Sequence, residues 1–351
     1  MMNTKSRYKY SPQLKTYDSL MNDWEPYTMF RQPNNIKSKV LNTDITGMRY
    51  TKENNFNYSL FDDKITNKHE QIAIFGGSTA FGVGSTQDSK TISSIVALNS
   101  KYKVYNLGFR AYNNFQELIV FNQIYNKFKD LKYVVFVSGF NDIFLSKFIH
   151  ENISLVSSPF YFQSEFKERM NYPNNSFLKK FLYNFLPLSK RSKINWVTDD
   201  KRKIFKKLFI NNNFTNVSKN YDWKKDYQKN LKIWNILSEK LNFKMLFLLQ
   251  PFINWVDKKL SKEEKEILEE LKMNNSQRVI NALNSINKNE HQDASNFFKD
   301  NCKKNNIKFI DLNKQIHESN FDNKWFFVDS LHLNDYGYEF VAKNIIENLN
   351  D

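Results

Sequence analysis

Five short apolar runs, each linked to stretches of helical periodicity, organise this chain. They fall at 71–75, 103–107, 132–137, 244–249 and 307–311, and each reads as a buried strand bounded by polar or glycine-containing turns. Helical patterns follow the first two runs, at about 89–100 and 113–129. Others precede the last two runs, at 223–242 and 293–305. A final helix is predicted to start at Asn334 or Asp335, either of which can cap it, and to run to about 349. Strands alternating with helices predict an α/β fold, with a five-stranded parallel sheet covered on both faces in a three-layer α/β/α sandwich of flavodoxin-like type. Ligands of such sheets bind outside the carboxyl ends of the strands.

Two stretches break the rhythm. Residues 1–68 are polar and irregular with scattered aromatics (Trp24, Tyr27, Phe30), and read as an extension that packs on the following domain, 69–351. Residues 143–222 are rich in Phe, Tyr, Asn and Lys and read as an insertion capping the sheet edge.

Composition refines this picture. At 351 residues, with 32 Phe, 18 Tyr and 6 Trp, the chain has ample material for a bulky aromatic core. The net charge of +15 permits attraction to nucleic acid, an anionic membrane or acidic glycans. It is equally met by a chain enriched in Lys and Asn. The basic residues are scattered Lys with no Arg-rich block, so no nucleic-acid partner is expected, and any membrane contact would be weak and peripheral. Cys302 is the only cysteine, which excludes an intramolecular disulfide and suits a core-filling role. The first residues lack the apolar stretch of a signal peptide, and no run approaches a membrane span. A soluble, cytoplasmic protein is expected, of undetermined oligomeric state.

The chemistry sits in the loops after the strands. Ser78 follows Gly76-Gly77 in a tight turn from strand to helix, where its own N–H can face a developing oxyanion. A phosphate loop is the alternative, but Gly82 is followed by Val83 rather than Lys, which excludes a Walker A motif. The third glycine of a dinucleotide fingerprint is also missing. Asp329 precedes His332 by three residues, so the carboxylate can accept from the ring Nδ1–H while Nε2 faces outward. Gly108, just after the second strand, can bring a bare N–H near a substrate oxygen, and Asn141 can donate from its amide. Both also fit ordinary turn chemistry. Gln250, after the fourth strand, is either a substrate contact or a strand-ending polar residue. The histidines show no ligand spacing, so no metal is expected, and nothing calls for a cofactor.

In this order the loops Gly76-Gly77-Ser78, Gly108, Gly139-Phe140-Asn141-Asp142 and Asp329-Ser330-Leu331-His332 resemble the SGNH (GDSL-like) hydrolases. The likeness covers roughly 70–142 and 244–349. The chain departs from the family pattern at Gly77, where Asp is usual. The segment Asn42…Gly47…Arg49 ahead of the first strand resembles a bacterial subset of that family. The resemblance implies a serine esterase acting through an acyl-enzyme on Ser78, with His332 as general base and Asp329 orienting it. It also implies an oxyanion hole built from Ser78, Gly108 and Asn141, and acyl esters, including O-acyl groups of carbohydrates, as substrates. An O-acyltransferase would use the same residues with a sugar hydroxyl as acceptor. A catalytically inactive binding protein of the same fold is the reading from another class.

Overall fold

A computed structural model of the chain describes residues 5–63, 68–148, 159–161, 221–319 and 321–349. The chain divides into two compact units, Met1–Ile149 with Asn220–Asp351, and His150–Lys219. Of the second unit only residues 159–161 are described, so most of the cap expected at 143–222 lies outside the described residues.

At the centre of the first unit is a parallel sheet of five strands: β1 (Gln71–Gly76), β2 (Lys103–Gly108), β3 (Leu131–Ser138), β4 (Lys244–Leu249) and β5 (Ile307–Asp311). They lie in the order β2-β1-β3-β4-β5. Each strand falls on one of the five apolar runs, with ends moved by one residue at most. β1 and β2 are buried throughout and β3 along its last six residues, which is why these runs are mostly apolar rather than alternating. In-register pairing places Phe75, Phe136, Phe247 and Phe309 side by side across four strands, with neighbouring ring centroids 6.1–6.2 Å apart. Trp234 and Phe298 pack on this row from the covering helices.

Those helices are α5 (Asn114–Ile124), α7 (Trp223–Leu241) and α10 (Lys288–Lys304), packed side by side. The other face is covered by α4 (Ile92–Leu98) and α12 (Asp335–Glu347). Asn334, not Asp335, is the α12 cap, its side chain accepting from Gly337 N. The helix expected at 293–305 begins earlier, at Lys288, because Asn287 accepts from Asn289 N and Glu290 N and supplies the cap. Two further helices, α8 (Lys262–Asn274) and α9 (Gln277–Ser285), lie between β4 and α10, α8 opened by the capping box of Ser261 and Glu264. Cys302 is fully buried, as its core-filling reading expects. Among the described residues no helix is long and apolar enough to cross a membrane.

Residues 5–63 are not irregular throughout. They form α1 (Lys5–Tyr10), α2 (Leu14–Ser19) and two hairpins, Asp23–Glu25 with Met29–Arg31 and Thr51–Glu53 with Phe56–Tyr58. These elements are too short to show a period in the sequence. Tertiary contacts hold them: Leu14 and Tyr17 are fully buried in a cluster with Leu41, Phe81 and Val328.

A polar layer is sealed beneath the carboxyl end of the sheet. Glu117 Oε1 accepts from Ser138 Oγ at 2.6 Å, and Asp142 accepts from the Asn114 backbone and side-chain amides. Burial pushes Glu117 up to about 8, and the nearby Asp142 adds to the rise against the Ser138 bond. Burial likewise pushes Asp142 up to about 7. An acid raised this way stabilises the fold fully below its ordinary value of 4.5, and that contribution fades as pH climbs toward 8. Stability to urea is therefore expected to fall between pH 5 and 8. Glu117→Gln, which stays neutral, should flatten that fall by about 3 kcal/mol. Parallel slopes for the two proteins across this range would show Glu117 to be ionised in the folded state.

Candidate active site

The strand order reverses direction at β1 and β3: the chain leaves β1 toward β2 on one side and continues from β3 toward β4 on the other. This crevice is where the carboxyl ends of a doubly wound sheet present ligand sites. Ser78 follows β1 and Asn141 follows β3, so both open into it.

Ser78 begins a single-turn helix, α3 (Ser78–Phe81). Such a turn is too short for an appreciable macrodipole, so its contribution is the bare N–H groups at its start. The turn comes so close to β2 that a Cβ on Gly108 would strike the backbone of Ala80 and Phe81. A Cβ on Gly77 would land on Asn141 Nδ2. In this arrangement the Asn141 amide occupies the space a side chain at position 77 would need.

His332 comes from the loop between Trp325 and Asn334. The loop is pinned at its base by Glu264, whose Oε1 accepts from Phe326 N and Phe327 N at 3.0 Å each. Glu264 is itself buried and paired with Lys258 at 2.5 Å. The loop then folds back on itself, with Val328 N donating to His332 O at 2.9 Å and Asn334 N to Phe326 O at 2.9 Å. Within it Asp329 Oδ1 accepts from Leu331 N and His332 N at 2.9 and 2.8 Å.

The two loops meet. His332 Nε2 lies 2.7 Å from Ser78 Oγ, across 254 positions of sequence. His332 Nδ1 lies 2.7 Å from Asp329 Oδ2. With the ring proton on Nδ1 donated to the carboxylate, Nε2 is left to accept from the serine hydroxyl. Burial alone would raise the Asp329 carboxyl. The His332 ring, then Arg7, then the loop amides outweigh it and hold the carboxyl far below the usual carboxylate range. This favours the carboxylate form of Asp329. Ser78 is half-buried, and the His332 side chain is 17% exposed, so a small reactant can reach both.

The remaining expected residues divide. Asn141 is nearly buried and sits beside the turn, donating one Nδ2 hydrogen to Tyr112 O at 2.6 Å. That bond fixes the amide plane and, among the described residues, leaves its second hydrogen uncommitted. The adjacent Asp142 turns inward to hold Asn114. Gly108 is placed at the crevice, but its N–H donates to Asn106 Oδ1 at 3.1 Å rather than standing free. The Asn106 amide is kept there by Ser93 Oγ at 3.2 Å and Phe81 O at 3.4 Å. Gln250 is 2% exposed; its N–H donates to Ser138 O and its carbonyl accepts from Asn313 Nδ2. These are the bonds of a residue that ends a strand.

Three features lie outside the site residues that the sequence predicts. Arg7, from α1, bonds Asp329 Oδ2 at 3.1 Å. His291 and Asp311 form a second buried pair at 2.9 Å, with the ring stacked on Trp255. The third is Arg49, whose sequence signal is only its place in the segment Asn42…Gly47…Arg49. It is fully buried; its Nη1 bonds Tyr17 Oη, Phe81 O and Gly82 O, while Nε pairs with Asp88 at 2.8 Å. It thereby ties down the carbonyl end of α3, one turn after Ser78. Only long-range contacts could reveal these roles, because an isolated Arg in a polar stretch carries no local signal.

No family model matches the chain, and neither does any curated protein. Among solved structures it is similar to an acetyl xylan esterase, at 16% identity and a TM-score of 0.39 over 79% of this chain and 98% of that one. A member of the lipolytic G-D-S-L family from Veillonella parvula DSM 2008 aligns at 12% identity and a TM-score of 0.39, over 80% of this chain and 97% of that one. An acetylxylan esterase from Geobacillus stearothermophilus aligns at 10% and 0.40, over 81% and 95%. Likeness at this level says nothing by itself about chemistry.

Proposed function

We propose that the protein is a serine ester hydrolase that works through an acyl-enzyme on Ser78. The observation that carries this is the unbroken run from Ser78 Oγ through His332 to Asp329, with both links at 2.7 Å. In this reading Ser78 Oγ attacks the acyl carbonyl carbon while His332 Nε2 takes its proton. Asp329 holds the ring tautomer and stabilises the imidazolium. The oxyanion is met by the Ser78 N–H and the second Nδ2 hydrogen of Asn141. Gly108 N–H would join them only by leaving Asn106. Collapse of the adduct expels the alcohol, which leaves with the proton from His332. Water, activated by the same ring, then attacks the acyl-serine and releases the acid.

A fluorophosphonate probe tests the reading directly. The protein is expected to gain one adduct, located by mass spectrometry on Ser78, and to turn over short p-nitrophenyl esters. Acyl esters of carbohydrates are the natural substrates to assay beside them. Turnover with Ser78 unmodified would overturn the assignment.

Asn141→Ala should lower kcat by about a hundredfold with little change in KM, as for a donor used in the transition state. A change confined to KM would move Asn141 to ground-state binding.

A further inference from the structure

Asp329 can accept about four hydrogen bonds, and its own loop supplies three: Leu331 N, His332 N and His332 Nδ1. The fourth comes from 322 positions away, from Arg7 Nη2 at 3.1 Å on the same oxygen that holds the imidazole. We infer that Arg7 is a positioning residue that completes the acid arm of the site, so that the N-terminal helix is part of the catalytic apparatus. The inference rests on the reading of Ser78, His332 and Asp329 given above.

The contact is built rather than incidental. The Arg7 and Asp329 side chains are 11% and 12% exposed, so the pair is largely shielded from water. Arg7 is steadied on its other side by Asp18, which Nη1 bonds. The helix that carries it is anchored on α8, where Ser6 N donates to Glu270 at 2.5 Å and Tyr10 Oη to Glu266 at 2.7 Å. The Tyr10 ring meets Trp325, at the start of the loop that bears Asp329, edge to face at 6.2 Å. Helix α1 therefore joins α8 to the catalytic loop.

Arg7 acts on the chemistry in two ways. A guanidinium on Oδ2 fixes the plane of the carboxylate, and with it the direction of the Nδ1–H bond that aims Nε2 at Ser78. It also offsets part of the negative charge that faces the His332 ring. The other groups facing this pair are Tyr338 in α12, which feels the Asp329 charge, and Asp18 and Arg110, close enough to Arg7 to share its field. Among the described residues none of these three bonds the carboxylate, which Arg7 and the loop's own donors hold.

The test uses the full chain with Arg7→Ala and Arg7→Gln, the latter retaining a donor without charge. Three readouts are taken: the rate of fluorophosphonate labelling at Ser78, the pH profile of kcat/KM, and the His332 ring titration followed by NMR. Arg7→Ala is expected to label and turn over at least about tenfold more slowly, with KM nearly unchanged. The acid limb of its profile and the ring titration should both move up by about one pH unit. Arg7→Gln should show the same upward shift with a smaller loss of rate, and it carries the test if the alanine variant does not fold. Added guanidinium ion should restore part of the Arg7→Ala rate, which a purely structural role would not allow. If wild type labels at Ser78 and both variants match its rate and titration, Arg7 only anchors the N-terminus and the inference fails. If wild type does not label, the hydrolase reading is what fails; an upward ring titration in the variants would still place Arg7 in charge of Asp329.

Discussion

Ser78→Ala is expected to abolish ester turnover and probe labelling while leaving the fold unchanged. Among the described residues the hydroxyl makes one hydrogen bond, to His332. The residue opens a helical turn, where alanine is well tolerated. Thermal and urea unfolding should therefore match wild type within about 0.5 kcal/mol. The rate effect is of another order. Without Oγ no acyl-enzyme can form, and loss of a nucleophile of this kind costs about 10⁴-fold or more in kcat. What remains is the background that the oxyanion donors give to attack by water. Turnover of a p-nitrophenyl ester on purified Ser78→Ala checks this, and wild-type activity in that variant would remove the serine from the mechanism.

The largest stability effect is expected at Arg49. Replacing it with Met keeps much of its volume and removes every polar contact it makes. Asp88 would then keep its charge at 4% exposure, with Asn42 as its remaining side-chain partner. The carbonyls of Val40, Phe81 and Gly82 would each lose a donor. Breaking one side of a buried ion pair costs about 3–5 kcal/mol, because the abandoned charge stays desolvated. Urea midpoints should fall accordingly. Asp88→Asn added to Arg49→Met should recover part of the loss, since the stranded charge is then gone. Labelling at Ser78 should slow as well, because Arg49 fixes the end of the turn on which Ser78 stands. An Arg49→Met protein as stable as wild type would mean that water or another cation reaches Asp88.

Some of this was legible in the chain and some was not, and the division has a physical basis. The strands are legible because segments largely buried on both faces are mostly apolar, and 244–249 and 307–311 match the observed limits without adjustment. Helix ends were less legible. The start of α10 depends on Asn287, a cap that acts before the apolar stripe begins. Asp329 and His332 were readable as a pair because three residues of loop bring them together whatever the rest of the fold does. The Asn106 bond to Gly108 has no local signal in the sequence. An Asn inside a strand reads as a ladder residue, and its side-chain target became visible only once α3 and α4 were in place.

By itself, then, the sequence determined the five strands of the central sheet and the helices that pack on it, the parallel α/β class and the residue types offered at each strand end. These are dictated by local periodicity and by turn chemistry that acts over a few residues. Only the tertiary structure decided that Ser78 and His332 lie 2.7 Å apart, that Asn141 fills the space over Gly77, that Arg7 bonds Asp329 and that Arg49 bonds the carbonyls at the end of α3. Such contacts span tens to hundreds of residues. They are set by how the layers pack, which no local window of the chain records.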